Sequence, residues 1–244
     1  MTNVKNSVGL HSWKAEHVRL SLFSDGAWPG NAGEIFRNIL NVEPESIVQK
    51  PAAGESIATG AADTFAYEVR HAFNRVDVFL KAIPTDIPSF PLLEDIERSM
   101  RLLASRASVI FNDNENIIRI AIGASGMLET LTPSDAYKQL SFFTSLRLNY
   151  DVHRDVNFQI NSPTESSIVS GLTVNQVTVW NCPAVVSLNT YPVATPSRSY
   201  FCGCLTDLNT DGSRITPLNA SSLERILDEL ISKAAEIYRT GLVL

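Results

Sequence analysis

The segment VRLSL, residues 18–22, alternates branched aliphatic residues with polar ones, and IRIAI, residues 118–122, repeats that pattern one hundred positions later. Successive side chains of an extended strand point to opposite faces, so each segment puts three aliphatic side chains on one face and an arginine on the other. Each segment therefore predicts a strand with one buried face. The recurrence of the pattern predicts an internal duplication.

A turn-rich loop and a short amphipathic helix follow each of these strands. The second helix has a clear beginning, because Thr132 can cap it, Pro133 suits the first helical position and Asp135 favours the positive helix end. The first helix is predicted from four apolar residues at helical spacing, which are Ile35, Phe36, Ile39 and Leu40.

Further strand patterns lie between these short helices and the end of each half. Residues 64–71 and 75–82 predict a hairpin in the first half, and residues 174–180 and 184–191 predict one in the second, joined across residues 181–183. The second half has an additional strand candidate at residues 199–208. Phe158 and Ile160 indicate one more.

A long amphipathic helix closes each half. Pro91 marks the predicted start of the first closing helix, and Ser221 with Glu224 forms a predicted capping box for the second. Gly241 is a predicted stop signal for that last helix.

This element order predicts an α+β fold of two tandem β-α-β-β-(β)-α units with pseudo-two-fold symmetry, in which antiparallel sheets pack on helices. The expected halves are residues 1–110 and 111–244, either separate or packed as one compact domain. The element order resembles the saddle-like duplicated fold of the TATA-binding-protein class. This resemblance concerns architecture and implies no function.

Composition and charge narrow the possible partners. The chain has 244 residues, of which 44% are hydrophobic and 19% charged, which is an ordinary globular balance. Its formal net charge of −6 and scattered basic residues disfavour nucleic acid as a partner. No apolar run approaches the roughly 18–20 residues of a membrane span, so no membrane partner is expected.

The cysteines and the N-terminus predict a cytoplasmic location. Residues 1–13 are polar and lack the apolar stretch of a secretory signal, and Cys182, Cys202 and Cys204 form an odd, low count. Cys202 and Cys204 share one face of a predicted strand. With Cys182 they suit a soft metal, but the spacing favours buried thiols acting as small hydrophobes.

Asp151, His153 and Asp155 occupy alternate positions and are the candidate metal ligands. In a strand they would share one face, where carboxylate and imidazole groups suit a divalent metal. Flanking asparagines favour a simple polar connection instead. The sequence leaves both interpretations open.

Residues 207–212, DLNTDG, resemble the beginning of a calcium-binding loop. Position eight of such a loop should be apolar but is Arg214, and position twelve should be an acid but is Leu218. These departures favour an ordinary turn.

Trp28, Trp180 and Tyr191 are the candidate binding residues, because large aromatic side chains near turns or on strands can line a groove or an interface. The competing interpretation places them in the core or at its rim.

Two functional hypotheses follow. The first is a non-catalytic binding or assembly module that binds a protein partner or forms a homodimer through exposed sheet edges. The second is a metal-assisted hydrolase of a small polar substrate, with a site between the halves built from Asp151, His153 and Asp155, with Asp207 and Asp211. No motif indicates a cofactor.

Overall fold

The computed structural model describes residues 12–84, 90–112, 114–189, 195–213 and 216–242. The strands are β1 (Lys14–Ser24), β2 (Ser46–Lys50), β3 (Glu55–Ala62), β4 (Phe65–Ala72), β5 (Arg75–Ala82), β6 (Ile117–Thr130), β7 (Asn157–Asn161), β8 (Thr164–Glu165), β9 (Thr173–Asn181), β10 (Ala184–Asn189) and β11 (Thr195–Thr210). The helices are α1 (Ala32–Leu40), α2 (Ile96–Ala107), α3 (Val109–Asn112), α4 (Pro133–Thr144) and α5 (Ala220–Thr240).

All of these strands belong to one antiparallel sheet. Its order is β2-β3-β4-β5-β1-β6-β11-β9-β7, with β10 paired to β11 and β8 paired to β9. The mixture of helices and antiparallel sheet confirms the α+β class. The separate sheets expected for the two halves are joined into one.

The strands that contain residues 18–22 and 118–122, β1 and β6, lie side by side at the centre of this sheet. Leu20 of β1 pairs with Ile122 of β6, and Leu22 pairs with Ile120. All four side chains are buried, so the predicted alternation is confirmed, although both strands are longer than predicted. The chain segments before and after residue 110 therefore meet through the pairing of β1 with β6.

The helices contact the sheet and share one hydrophobic core with it. Helix α1 contacts β3 and β4, α2 contacts β1, α4 contacts β11 and α5 contacts β6. The expected boundary after residue 110 falls within α3. In the described stretches, no helix is long and apolar enough to cross a lipid bilayer.

An aromatic cluster fills the core beneath β9, β11 and α4. The ring of Phe143 stacks on Trp180 at a centroid distance of 5.5 Å and lies 5.3 Å from the ring of Trp13. Tyr238 packs 5.1 Å from Trp13, and its hydroxyl lies 3.1 Å from the carbonyl oxygens of Ala124 and Cys204. The closing helix is thereby tied to the centre of the sheet.

The beginning of α4 confirms the sequence prediction. The side chain of Thr132 accepts a hydrogen bond from the backbone N–H of Asp135 at 3.1 Å, and Pro133 occupies the first helical position. The stop at Gly241 is also confirmed, because it follows the last residue of α5 with a φ of 76°. These signals depend only on neighbouring residues.

The predicted beginnings of the closing helices were wrong. Helix α2 begins at Ile96 with Asp95 as its cap, because the backbone of Leu93 pairs instead with Ala15, at N–O distances of 2.7 and 2.9 Å. Helix α5 begins at Ala220, with Asn219 as its cap.

The hairpin predicted in the first half is confirmed, and that in the second half was wrong. Strands β4 and β5 pair directly across a short turn. Strands β9 and β10 do not pair with each other. Both pair with β11, where Asn181 lies opposite Gly203 and Ala184 lies opposite Tyr200. The long strand β11 therefore pairs with two shorter strands, β9 and β10, one after the other along one side.

Candidate functional site

The candidate site is the face of the sheet that points away from the core. On β1 the side chains of Val18, Leu20 and Leu22 enter the core, so the alternate residues point to the opposite face. No helix in the described ranges contributes core residues to that side. We call it the open face, defined by Glu68 and Arg70 of β4, Arg75, Asp77, Phe79 and Lys81 of β5, Glu16, His17, Arg19, Ser21 and Phe23 of β1, Arg119 of β6, and Asp207 and Asn209 of β11.

Two guanidinium groups lie over the ring of Phe23. The strand register places Arg75 and Arg119 on either side of Phe23, one on each neighbouring strand. Their central carbons lie 5.0 and 4.7 Å from the ring centroid. Both distances are within the range of cation–π attraction, so the ring helps to orient both cations.

A nearly buried carboxylate holds the first of these arginines. Arg75 donates from Nε to Oδ1 of Asp77 at 2.9 Å, and the hydroxyl of Ser21 donates to the same oxygen. Asp77 is 9% exposed. The negative charge of Asp77 is therefore neutralised locally. Its main effect is to orient Arg75, and it attracts a binding partner less.

The second arginine is held differently. Arg119 donates from Nη2 to the side-chain oxygen of Asn209 at 3.0 Å, and its Nε is buried without a hydrogen-bond partner. Within the described part of the chain, no carboxylate forms an ion pair with it. Because a guanidinium has five N–H donors, Arg119 keeps donors for an incoming acceptor.

A second ring on the open face has a similar arrangement. The guanidinium of Arg70 lies 4.7 Å from the ring centroid of Phe79, and the ammonium of Lys81 lies 5.5 Å from it. Both cations also donate to Glu68. Burial alone would raise the pKa of Glu68, but these hydrogen bonds and charges outweigh it and lower that pKa, so the group is ionised at neutral pH.

Amide side chains continue the polar surface toward the β7 edge. Asn209 donates to Asp207 at 3.4 Å, Asn175 donates to Asn209 at 3.3 Å, and Asn161 donates to Asn175 at 3.1 Å. The open face therefore changes from cationic and aromatic at its centre to neutral amides at this side.

The charge of the open face differs from that of the whole chain. The defined surface carries five arginine or lysine side chains against four carboxylates, whereas the formal net charge of the chain is −6. Exposed guanidinium groups beside aromatic rings bind carboxylates and amides through directed hydrogen bonds. This arrangement suits recognition of polar groups.

The structure places the predicted metal ligands on an exposed turn between α4 and β7. Asp151, His153 and Asp155 are all exposed, and His153 accepts a hydrogen bond at Nδ1 from the backbone N–H of Asn149 at 2.9 Å. Among the residues that the structure describes, no three His, Cys, Asp or Glu side chains are grouped to hold a metal ion.

The two carboxylates added by the hydrolase hypothesis have their own partners. Asp207 forms an ion pair with Arg19 on the open face, at 3.0 Å. Asp211 follows β11 and accepts hydrogen bonds from the backbone and hydroxyl of Ser213, as in an ordinary polar turn.

Of the predicted aromatic binding residues, Trp28 and Trp180 lie in the core and away from the open face. Trp28 is nearly buried beside a cavity of about 190 Å³, and its carbonyl oxygen accepts a hydrogen bond from Nε2 of His71 at 3.3 Å. Trp180 is fully buried in the aromatic cluster. Tyr191 lies outside the described residues.

The three cysteines are free thiols in or beside the core. Cys202 and Cys204 are buried, and Cys182 is partly buried. Burial raises the pKa of Cys182 to about 12 and raises the pKa values of Cys202 and Cys204 as well. Protonated thiols fit the interpretation of these residues as small hydrophobes, since metal binding requires the thiolate.

Sequence reasoning missed the open face, although one signal for it was available. Arg19 and Arg119 occupy polar positions of the two alternating segments, which marks one face of each strand as solvent-facing. Their neighbours on β4, β5 and β11 follow only from the strand order.

Comparisons with known proteins identify no relative of this chain. No protein-family model, curated protein or solved structure matches it. Functional inference for this chain therefore rests on its own geometry.

Proposed function

We propose that this protein is a non-catalytic binding module that takes a protein partner on the open face of its sheet. The observation that carries this proposal is the Phe23 ring with the guanidiniums of Arg75 and Arg119 over it. Arginine and aromatic side chains dominate the energetics of protein interfaces. Their orientation before binding lowers the entropy cost of association.

A polypeptide fits the open face better than a nucleic acid does. Glu68, Asp77 and Asp207 each lie within hydrogen-bond distance of a cation on this surface. A nucleic-acid strand presents a phosphate at every nucleotide and needs cations that are not already neutralised. A protein surface with alternating carboxylate, amide and apolar groups complements this pattern.

The test uses charge reversal at Arg119 with a matched control. Arg119→Glu reverses the charge of the open-face cation that has no carboxylate partner among the described residues. Arg225→Glu makes the same change of charge at an exposed position on α5. Affinity capture and cross-linking are carried out with the wild type and both variants after circular dichroism has confirmed folding. We expect a partner cross-linked through β1, β5 or β6 with the wild type and Arg225→Glu only. Equal capture by all three proteins would reject the open face as the binding surface.

The internal duplication is part of the same proposal. Its support is the order β5-β1-β6-β11, in which the first strands of the two halves are adjacent and the last strands flank them. Each half also has a helix after its first strand and another at its end. A two-fold rotation that superposes residues 14–107 on residues 117–240 would support the duplication, and failure of that superposition would count against it.

We further propose that the chain forms a homodimer through the edge strand β2. All five residues of Ser46–Lys50 are exposed, and Ile47 and Val48 are 45% and 49% exposed. An unpaired edge with exposed β-branched residues invites pairing with another chain. Antiparallel pairing centred on Val48 would place Lys50 of one copy opposite Ser46 of the other, without opposing like charges.

Sedimentation at micromolar concentration tests the homodimer. We expect a dimer mass for the wild type, a monomer mass for Val48→Lys, and a dimer mass for the control Val152→Lys, which changes an exposed turn residue. A monomeric wild type would contradict this part of the proposal. It would not affect the proposal that a partner binds on the open face.

A cytoplasmic location also belongs to the proposal, and its support remains the low, odd cysteine count of the sequence. Metal-assisted hydrolysis at Asp151, His153 and Asp155 stays a prediction without a supporting contact among the described residues.

A further inference from the structure

Two cysteines lie opposite each other where β9 passes into β10 alongside β11. The last residue of β9, Asn181, pairs with Gly203. Two positions further on, the backbone N–H of Phe201 donates to the carbonyl oxygen of Pro183 at 3.0 Å. The antiparallel register is therefore unbroken across this connection. On each side, the one residue between these two contacts is a cysteine, so the two cysteines are cross-strand neighbours.

These cysteines, Cys182 and Cys202, occupy a non-hydrogen-bonded position of the strand pair. Phe201 and Pro183 form the hydrogen-bonded pair one step along, and the two kinds of pair alternate in an antiparallel ladder. The Cα atoms of a non-hydrogen-bonded pair lie about 4.5 Å apart, within the span of about 4.4–6.8 Å that a disulfide bridges. The backbone therefore needs little movement to bring the two sulfur atoms into bonding distance.

Both thiols lie on the core side of the sheet, because directly opposed residues of antiparallel strands share one face. Cys202 is fully buried in the core, and Cys182 packs against the core while remaining partly exposed. Burial raises the pKa of Cys202, and the charge of a Cys182 thiolate raises it further, as expected of close neighbours. A small oxidant can thus reach Cys182 from solvent, with Cys202 directly behind it.

The third cysteine is poorly placed to compete with this pair. Cys204 lies opposite Trp180, so it is a diagonal neighbour of Cys182. Diagonal neighbours are about 7–8 Å apart, which is beyond the span of a disulfide. Cys204 follows Cys202 by two positions on the same strand, and the resulting separation of about 6.7 Å is at the outer limit of that span.

We propose that Cys182 and Cys202 are a site of reversible oxidation, at which hydrogen peroxide produces a disulfide bond. The thiolate of Cys182 attacks one peroxide oxygen, the O–O bond breaks, and a sulfenic acid and a hydroxide ion form. The sulfur of Cys202 then attacks the sulfenic sulfur, the S–O bond breaks, and the oxygen leaves as water. Two thiols lose two electrons and two protons, and one peroxide is reduced to two water molecules.

The rate of this oxidation should depend on pH, because the thiolate is the nucleophile. Burial raises the pKa of Cys182 to about 12, so a small fraction is ionised at neutral pH. Cys202 of β11 and Tyr137 of α4 face Cys182, and burial raises their pKa values too, so both are neutral there. At fixed peroxide concentration, the rate should rise about tenfold for each pH unit below the pKa of Cys182.

Peptide mapping of the full chain tests this site. The folded protein is incubated with hydrogen peroxide at about pH 9, where more of the thiol is ionised, and catalase then removes the peroxide. Free thiols are blocked with iodoacetamide in urea, and trypsin cuts after Arg198, which separates the two cysteines. We expect a disulfide that joins peptide 155–198 to peptide 199–214, with Cys204 alkylated. Dithiothreitol should release the two peptides.

Cysteine variants assign the bond. Cys204→Ala is the matched control at a buried position and should give the same linked peptides, whereas Cys202→Ala and Cys182→Ala should give none. Circular dichroism confirms folding, and Cys182→Ala, at a partly exposed position, keeps the test decisive if Cys202→Ala does not fold. The proposal is overturned if the wild type gives no linked peptides, if Cys202→Ala still gives them, or if electrophoresis without reductant shows that the disulfide joins two chains.

Discussion

Arg19 and Asp207 form an ion pair across an intervening strand, with Nη2 3.0 Å from Oδ2, although 188 residues separate them. The strand between them is β6, and the residue opposite both is Gly123. The Arg19 side chain passes over Gly123, which has no side chain, to reach the carboxylate. The ion pair thus joins β1 to β11 across β6 on the open face.

We expect Gly123→Ala to destabilise the protein by about 1–3 kcal/mol, the usual cost of forcing an extra group into a packed site. A Cβ atom there would lie 2.7 Å from the backbone oxygen of Thr206, which cannot move without disturbing the strand pairing. Urea denaturation measures the free energy of unfolding. The comparison is Arg19→Met, which removes the partly exposed ion pair and should cost less than about 1 kcal/mol. A larger loss in Arg19→Met than in Gly123→Ala would contradict this explanation.

Gly126→Ala should also destabilise the fold by about 1–3 kcal/mol, for a different reason. Its Cβ atom would lie 2.5 Å from Cε1 of Tyr238, whose fully buried ring cannot turn away. Thermal melting of Gly126→Ala and of the control Gly212→Ala provides the test. The new Cβ atom of the control meets only the side chain of Arg119, at 3.7 Å, so melting close to the wild-type temperature is expected. Equal melting temperatures for the two variants would argue against a clash with Tyr238.

His17 should make stability depend on pH below neutrality. Burial lowers its pKa from 6.5, and Lys81, Arg19 and Arg70 lower it further against the opposing effect of Glu16. As pH falls below 6.5, the unfolded chain therefore takes up a proton before the folded chain does. Stability is expected to fall from about pH 6.5 down to the lower folded pKa and then to become independent of this group.

Urea denaturation measures this contribution when the wild type and His17→Gln are compared between pH 5 and pH 8. These pH values bracket the ordinary pKa of histidine. The variant should lose the part of the slope just below pH 6.5 that the histidine causes. Identical slopes in both proteins would mean that His17 titrates alike in the folded and unfolded states.

Thr178→Val should stabilise the protein by about 1 kcal/mol, because it removes an unpaired buried hydroxyl at nearly constant volume. Thr206→Val is the matched contrast, since the hydroxyl of Thr206 is buried but lies 3.1 Å from the hydroxyl of Tyr238. That variant should be destabilised by a similar amount. Urea denaturation of both variants tests the difference in sign, and a destabilised Thr178→Val would show that its hydroxyl is already paired.

The helix signals that sequence analysis read correctly are local. Thr132 caps α4 by accepting a hydrogen bond from a backbone N–H three positions away. Gly241 ends α5 because its own backbone adopts a positive φ. The beginning of α2 was missed because Leu93 pairs with Ala15, a residue distant in the sequence. The apolar pattern around Leu93 suits a helix and a strand bridge equally well, and only the neighbouring chain selects between them.

The prediction of a hairpin in the second half was wrong for the same physical reason. Residues 174–180 and 184–191 have strand patterns separated by a short connection, which usually indicates that they pair with each other. The 16-residue strand β11 instead offers a partner long enough for both β9 and β10. A strand pattern records which face is buried, and it contains no information about the neighbouring strand.

The amino-acid sequence alone predicted the alternation of residues 18–22 and 118–122, the α+β class, the beginning of α4 and the end of α5, because these depend on side chains within a few positions. The strand order, the meeting of Phe23, Arg75 and Arg119, and the unpaired buried hydroxyl of Thr178 follow only from the tertiary structure. These contacts join strands and helices that are distant in the chain, and burial of the common core brings them together.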